Sequence, residues 1–144
     1  MREEITMATL TKQPAAWAAR GRVIVYWVCT LLLCSEMLVG GMWGIFQIPR
    51  ARTMLAHLGY PSYFVVFLGV WYTLGGVALL APRFPRLKEW AYAGATFVYT
   101  GAVVSHLSVH DSVGSAVPSA VFLALTFASW ATRPGSRRLA DPTI

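Results

Sequence analysis

Pro82-Arg83-Phe84-Pro85-Arg86-Leu87-Lys88 is a short basic turn set between two runs almost free of charge, Tyr63 to Leu80 before it and Glu89 to Asp111 after it. Each run is roughly 20 residues long, the length that crosses a hydrocarbon core at about 1.5 Å per residue. Lys and Arg are retained on the cytoplasmic side, so the turn predicts a helical hairpin whose closed end faces the cytoplasm. The fold, and with it the function, is to be sought among membrane proteins.

Composition agrees. The chain has 144 residues, 56% of them hydrophobic and only 12% charged, and its mean hydropathy is +0.55. Soluble domains carry about 25% charged residues. The net charge of +6 would suit nucleic acid, but the basic residues cluster at helix ends instead of along one face. They read as topology signals and contacts to anionic lipid, and no nucleic-acid partner is expected. Cys29 and Cys34 are five apart, on different faces of a helix, which excludes a CxxC redox pair and predicts two small core residues.

Working outward, residues 1–22 read as a polar, irregular cytoplasmic tail. The apolar run Val23 to Phe46 is too long for a signal-peptide core and contains Glu36, so it is expected to remain as the first span. In Pro49 to Gly59, Ala51, Met54, Leu55 and Leu58 share one face. This predicts an amphipathic helix lying in the membrane interface over about 50–58, ended by Gly59 in a left-handed cap and by Pro61. The expected fold is all-α: an integral membrane four-helix bundle with spans at about 23–46, 62–80, 89–109 and 116–132, followed by a cytoplasmic tail, 133–144. Pro118 should fall in the first turn of the last span, where it is tolerated. Of the 12 Lys and Arg residues only Arg50 and Arg52 fall outside, which places both termini in the cytoplasm of a bacterial plasma membrane. Small residues at helical spacing mark expected packing faces: Gly40 and Gly44; Gly69, Thr73 and Gly76; Gly94, Gly101 and Ser105; Ala120, Ala124 and Ala128.

Counting inward from the outer helix ends puts Glu36, Tyr72, Tyr99 and Thr126 at one depth, near the midplane. Tyr63, Ser105, His106, His110 and Asp111 lie nearer the outer surface, with His57 above them. The titratable groups that are not topology signals are therefore concentrated in the outer half. Glu36 is the sharpest of them. A carboxyl group inside a span costs several kcal/mol and marks a site by default; as an acid it can donate a proton or a hydrogen bond to a carbonyl or epoxide oxygen. Against this stands a purely structural carboxyl, satisfied by a tyrosine. Tyr92, Tyr99, His106 and His110 are spaced seven, seven and four apart and share a face; turned inward it supplies aromatic walls and a titratable rim, turned outward only lipid anchors. His106 and His110 lack an HExxH context, and even with His57 or Asp111 no metal site is expected. Trp43 and Trp71 are candidate pocket walls, although such residues are more often core or interface. No phosphate loop, nucleophile elbow or dinucleotide fingerprint is present, so no cofactor is evident.

The segments Leu58-Gly59-Tyr60-Pro61-Ser62-Tyr63-Phe64, Leu68-Gly69-Val70-Trp71, Leu79-Leu80-Ala81-Pro82, Phe84-Pro85-Arg86-Leu87-Lys88-Glu89-Trp90-Ala91-Tyr92-Ala93-Gly94 and Thr100-Gly101-Ala102 through Ser105-His106-Leu107 resemble the DoxX-like family of small bacterial membrane proteins. The likeness runs in register from about Tyr26 to Trp130. It implies four transmembrane helices. Because the family is named for its similarity to the membrane subunit of a thiosulfate:quinone oxidoreductase, it also implies quinone-like or isoprenoid-like ligands. Many members carry a Lys where this chain has Tyr72, so a mechanism needing a cation there is not carried over.

Three functional readings follow. The first is an outer-half pocket for a small hydrophobic or amphipathic molecule (quinone-, polyene- or isoprenoid-like). Glu36, His106 and Tyr99 would be its catalytic groups in a cofactor-independent isomerisation, cyclisation or epoxide opening. Tyr72, Trp71, Trp43, Tyr63, Thr126, His57, His110 and Asp111 would contact the ligand. The second is a quinone-linked membrane subunit working with a redox partner, and the third a non-enzymatic assembly or chaperone subunit of another membrane protein.

Overall fold

The computed structural model describes residues 2–137, with side chains from Trp17 onward. Among these residues the chain is entirely helical: α1 (Arg2–Ile45), α2 (Pro49–His57), α3 (Ser62–Leu80), α4 (Pro85–Ser108) and α5 (Val113–Thr132), then a single 3₁₀ turn, Gly135–Arg137. The punctuation follows local chemistry. Pro49 and Pro85 each open a helix, where a missing N–H costs nothing. Gly59 adopts φ +85° after α2, the left-handed cap expected of it, and Pro61 precedes α3.

Helix α1 is the spine and packs along α3 and α5, while α4 packs along α5 and α3 and α2 lies across the ends of α1 and α3. At the α1–α3 crossing the two backbones nearly touch. A Cβ on Gly69 would lie 2.7 Å from both Gly41 O and Ile45 N, and one on Gly44 would lie 2.7 Å from Val65 O. Only bare backbone fits there, which is how helices approach closely in lipid. Leu33, Cys34, Met37, Leu79, Tyr92 and Tyr99 form the centre of the core. Beside it runs a buried polar seam in which the Ser129 hydroxyl meets Thr30 Oγ1 and Tyr92 OH, each at 2.7 Å. Outward-facing positions such as Val28, Leu31, Leu74, Val77 and Phe127 are exposed apolar side chains suited to lipid.

The two ends differ in chemistry. At one, Lys88 Nζ donates to Ala78 O at 3.2 Å and to Leu79 O, satisfying carbonyls that the end of α3 leaves open. Arg133 pairs with Glu89 at 2.6 Å and lies over the Tyr92 ring, and Arg137 lies over Trp27 and donates to Tyr26 OH. At the other end lie α2 and the α4–α5 turn, joined by Tyr60 to Ser105 (2.8 Å) and by the histidines described below.

Several expectations are corrected. Residues 2–22 are not irregular but helical, continuous with α1. The segments apolar and long enough to span a membrane are Trp17–Ile45, Ser62–Leu80 and Val113–Thr132. Helix α4 has the length, at 24 residues, and no Asp, Glu, Lys or Arg between Trp90 and Val109, but Tyr92, Thr96, Tyr99, Ser105 and His106 dilute its apolarity. Lys88 is not an exposed topology signal: it is 1% exposed. Helix α5 begins at Val113, so Pro118 lies deeper than its first turn. Gly41 and Gly44, not Gly40 and Gly44, make the crossing with α3. Gly94 and Gly101 meet nothing, and Ala120 and Ala124 face outward. Arg138 lies outside the described residues, as do the side chains of Arg2 and Lys12.

Candidate functional site

A cavity of about 360 Å³ opens between α1, α2 and α3, beneath α2. Helix α1 brings Glu36 and Trp43 to it, four residues before and three after Gly40, so all three share one face. Gly40 sits close beside both polar groups: a Cβ there would lie 3.5 Å from Glu36 Oε1 and 3.6 Å from the Tyr72 ring, at ordinary contact distance. Met54, Leu55, Val65 and Leu68 supply the hydrocarbon walls, and Arg50 stands where α2 begins, its guanidinium 5.8 Å from the centre of the Trp43 ring.

Glu36 is half-buried and has two differently used oxygens. Oε2 accepts a hydrogen bond from Tyr99 OH on α4. Oε1 is the atom on the Gly40 side, facing the cavity. Tyr99 is itself buried, with its ring edge-on to Tyr72 (centroids 6.1 Å apart) and stacked on Phe122 at 5.7 Å. The carboxyl is thus held from behind by a phenol that cannot easily turn, while one oxygen remains on the cavity side. Chemically this arrangement can hydrogen-bond or protonate an oxygen or unsaturated carbon of a molecule lodged against Gly40.

The remaining predicted residues separate. Tyr72 and Trp43 line the Glu36 cavity as expected, and Tyr99 touches it only through Glu36. Trp71 faces a different cavity, of about 420 Å³, between α3 and α4 on the outer surface, with Phe67, Trp90 and Phe97 around it and Tyr72 and Tyr99 at its floor. Thr126 lies between α4 and α5 in a third space with Tyr92 and Trp130, and its hydroxyl donates to Phe122 O. Tyr63 is 72% exposed and lines neither. The Tyr92–Tyr99 face of α4 turns inward, both rings being buried. It does not extend to His110, because α4 ends at Ser108 and His110 takes φ +59°.

His57, Asp111 and His106 form a chain above the cavity end. His57 Nε2 donates to Asp111 Oδ1 at 2.8 Å and His106 Nδ1 to Asp111 Oδ2 at 2.7 Å. The two imidazoles, His106 first, hold the Asp111 carboxyl below its ordinary range. His106 is therefore occupied with Asp111, away from the lining of the Glu36 cavity, and the chain ties the end of α2 to the α4–α5 turn. Among the described residues no group of three or more His, Cys, Asp or Glu is arranged to hold a metal ion.

The sequence reading missed the contribution of α2. The apolar face of Ala51, Met54 and Leu55 was legible, but not that it roofs a cavity, and Arg50, read as an outside charge, stands at the mouth.

Long apolar helices with outward-facing hydrocarbon side chains, enclosing a carboxyl-bearing cavity, define a small helical integral membrane protein. The profile of the DoxX-like family matches residues 28–129, and the chain belongs to that family. No characterised protein and no solved structure matches it.

Proposed function

We propose that this DoxX-like protein binds a small amphipathic molecule drawn from the bilayer, and that Glu36 acts on a polar or unsaturated group of that molecule. The observation that carries this reading is the divided Glu36 carboxyl: one oxygen is fixed by Tyr99 and the other lies on the side of a cavity otherwise walled by hydrocarbon. A buried carboxyl serving only to join helices would have no such space before it. The volume is within the roughly 300–1,000 Å³ range of small-molecule sites. Proton delivery from Glu36, with Tyr99 holding the resulting carboxylate, suits isomerisation, cyclisation or epoxide opening, none of which needs a cofactor. A quinone would fit by the same carbonyl contact.

In this reading α4 is a fourth span, because Tyr92 meets Ser129 of α5 and Tyr99 meets Glu36 of α1, while Phe97, Val104 and Leu107 are left to lipid. Lys88, Arg133, Arg137 and Arg22 gather at one end of the helices. That end is assigned to the cytoplasm of a bacterial plasma membrane, with both termini inside and α2 at the outer face.

The experiment is mass spectrometry of small molecules retained by the protein in mild detergent, comparing wild type with Glu36→Gln. A defined quinone, polyene or terpenoid kept by the wild type and lost from the variant is the expected result. Bulk phospholipid alone in both would leave Glu36 a structural residue.

A further inference from the structure

Resting on that reading of the cavity, we propose that its ligand is an anionic amphiphile: a hydrocarbon chain ending in a carboxylate or phosphate that Arg50 binds at the mouth. The lining is asymmetric. Glu36 and Tyr72 lie toward one end, Arg50 and Trp43 toward the other, and Met54, Leu55, Val65 and Leu68 fill the space between with hydrocarbon. Trp43 follows Glu36 by seven residues on α1, so the two ends are separated by roughly 10 Å along the helix.

Arg50 is a cation placed where a ligand must pass. No carboxylate among the described side chains is paired with it: Glu89 is engaged by Arg133, Asp111 by His106 and His57, and Glu36 is held by Tyr99 at the far end of the cavity. The guanidinium lies 5.8 Å from the centre of the Trp43 ring, a cation–π contact that suits Arg and leaves its N–H edges for an oxyanion. A guanidinium meets a carboxylate or phosphate with two parallel hydrogen bonds, which a neutral ester or alcohol cannot match. A cationic amphiphile would be repelled at the same place. Arg52, two residues on, lines a separate space with Thr53 and Tyr60 and supplies an internal control. The acid head would therefore rest at the interface while the chain carries the reacting group about 10 Å inward to Glu36.

The test uses full-length protein in phosphatidylcholine nanodiscs with two fluorescent probes, cis-parinarate and its methyl ester, read by energy transfer from tryptophan. The acid is expected to bind at least tenfold more tightly than the ester. Arg50→Gln should bring the acid to within about twofold of the ester and leave the ester unchanged, and Arg52→Gln should change neither. Thermal unfolding of each variant checks that the fold is retained. Added phosphatidylglycerol that competes with the acid would assign the anion to a lipid headgroup; failure to compete would assign it to a free acid, and both outcomes keep Arg50 as the receptor. Equal binding of acid and ester by wild type, or equal losses in Arg50→Gln, would overturn the inference and leave the cavity reading standing. Failure of a cavity-filling Gly40→Leu to weaken either probe, or no binding of either by wild type, would overturn both.

Discussion

Gly69→Ala is the most exacting perturbation of this structure, because it adds one methyl group where two helix backbones meet. The new Cβ would lie 2.7 Å from Gly41 O and Ile45 N and 2.9 Å from Gly44 C. All three are backbone atoms of α1, so no side chain can rotate away. Ordinary contact requires about 3.5 Å, and α1 and α3 must therefore part by roughly 0.8 Å along that line. Overpacking of this kind costs about 1–3 kcal/mol, and the rigidity of both helices puts Gly69 toward the upper end. The matched control is Gly94→Ala, exposed on α4 with nothing within 4 Å of its Cβ; it should be neutral, or stabilising by up to about 1 kcal/mol through helix propensity. Reversible unfolding of the reconstituted protein, with both variants measured under one lipid condition, gives the difference directly. If Gly69→Ala is within about 0.5 kcal/mol of wild type, the α1–α3 crossing is not held by backbone contact and the packing argument fails. Because Gly69 also lines the Glu36 cavity, the same variant should retain less of any co-purifying molecule.

Three further outcomes are expected. Tyr92→Phe removes a partner of Ser129 in the buried seam and should cost about 0.6–1.7 kcal/mol, from the average to the maximum for interhelical hydrogen bonds in a membrane protein, with ligand retention unchanged; retention of full stability would refute the role of that seam. The Asp111 carboxyl is held below its ordinary range in the folded protein, so its anchoring of α2 is complete at neutral pH and fades as pH falls below roughly 4, through the folded value. The protection of the α2 amides relative to their intrinsic exchange rates should fall over that range, and in Asp111→Asn it should already be low at neutral pH. Finally, in a background with Cys29 and Cys34 replaced by Ala, a cysteine at Arg52 should react with an impermeant maleimide in intact cells and one at Ser136 only after lysis; the reverse pattern would invert the topology.

Apolarity and punctuation are local properties, and they were read directly. Three of the four expected spans, the α2 segment, the Gly59 cap, the buried cysteines and the family follow from runs of residue types and from motifs that neighbours along the chain define. The start of α1 escaped that reading, because a helix can continue through a polar segment without any apolar periodicity to announce it. Glu36 was legible for a related reason: a carboxyl inside an apolar run stands out whatever it touches. What it touches was not legible. Tyr99 and Tyr72 lie at the same depth by counting, as does Thr126, yet only the rotation of each helix about its axis turns Tyr99 toward Glu36 and Thr126 away to another space. That rotation is set by contacts distant in sequence: the bare backbones of Gly41, Gly44 and Gly69 between α1 and α3, and the packing of α4 and α5 on each other and on those two helices. The same holds for Lys88 and Arg50. In the sequence both are charges beside a membrane; in the fold one closes the carbonyl end of α3 and the other stands at the mouth of a cavity. Charge and hydropathy fix how deep a residue lies, whereas the direction in which it points depends on which helix packs against which, and only the tertiary structure decides that.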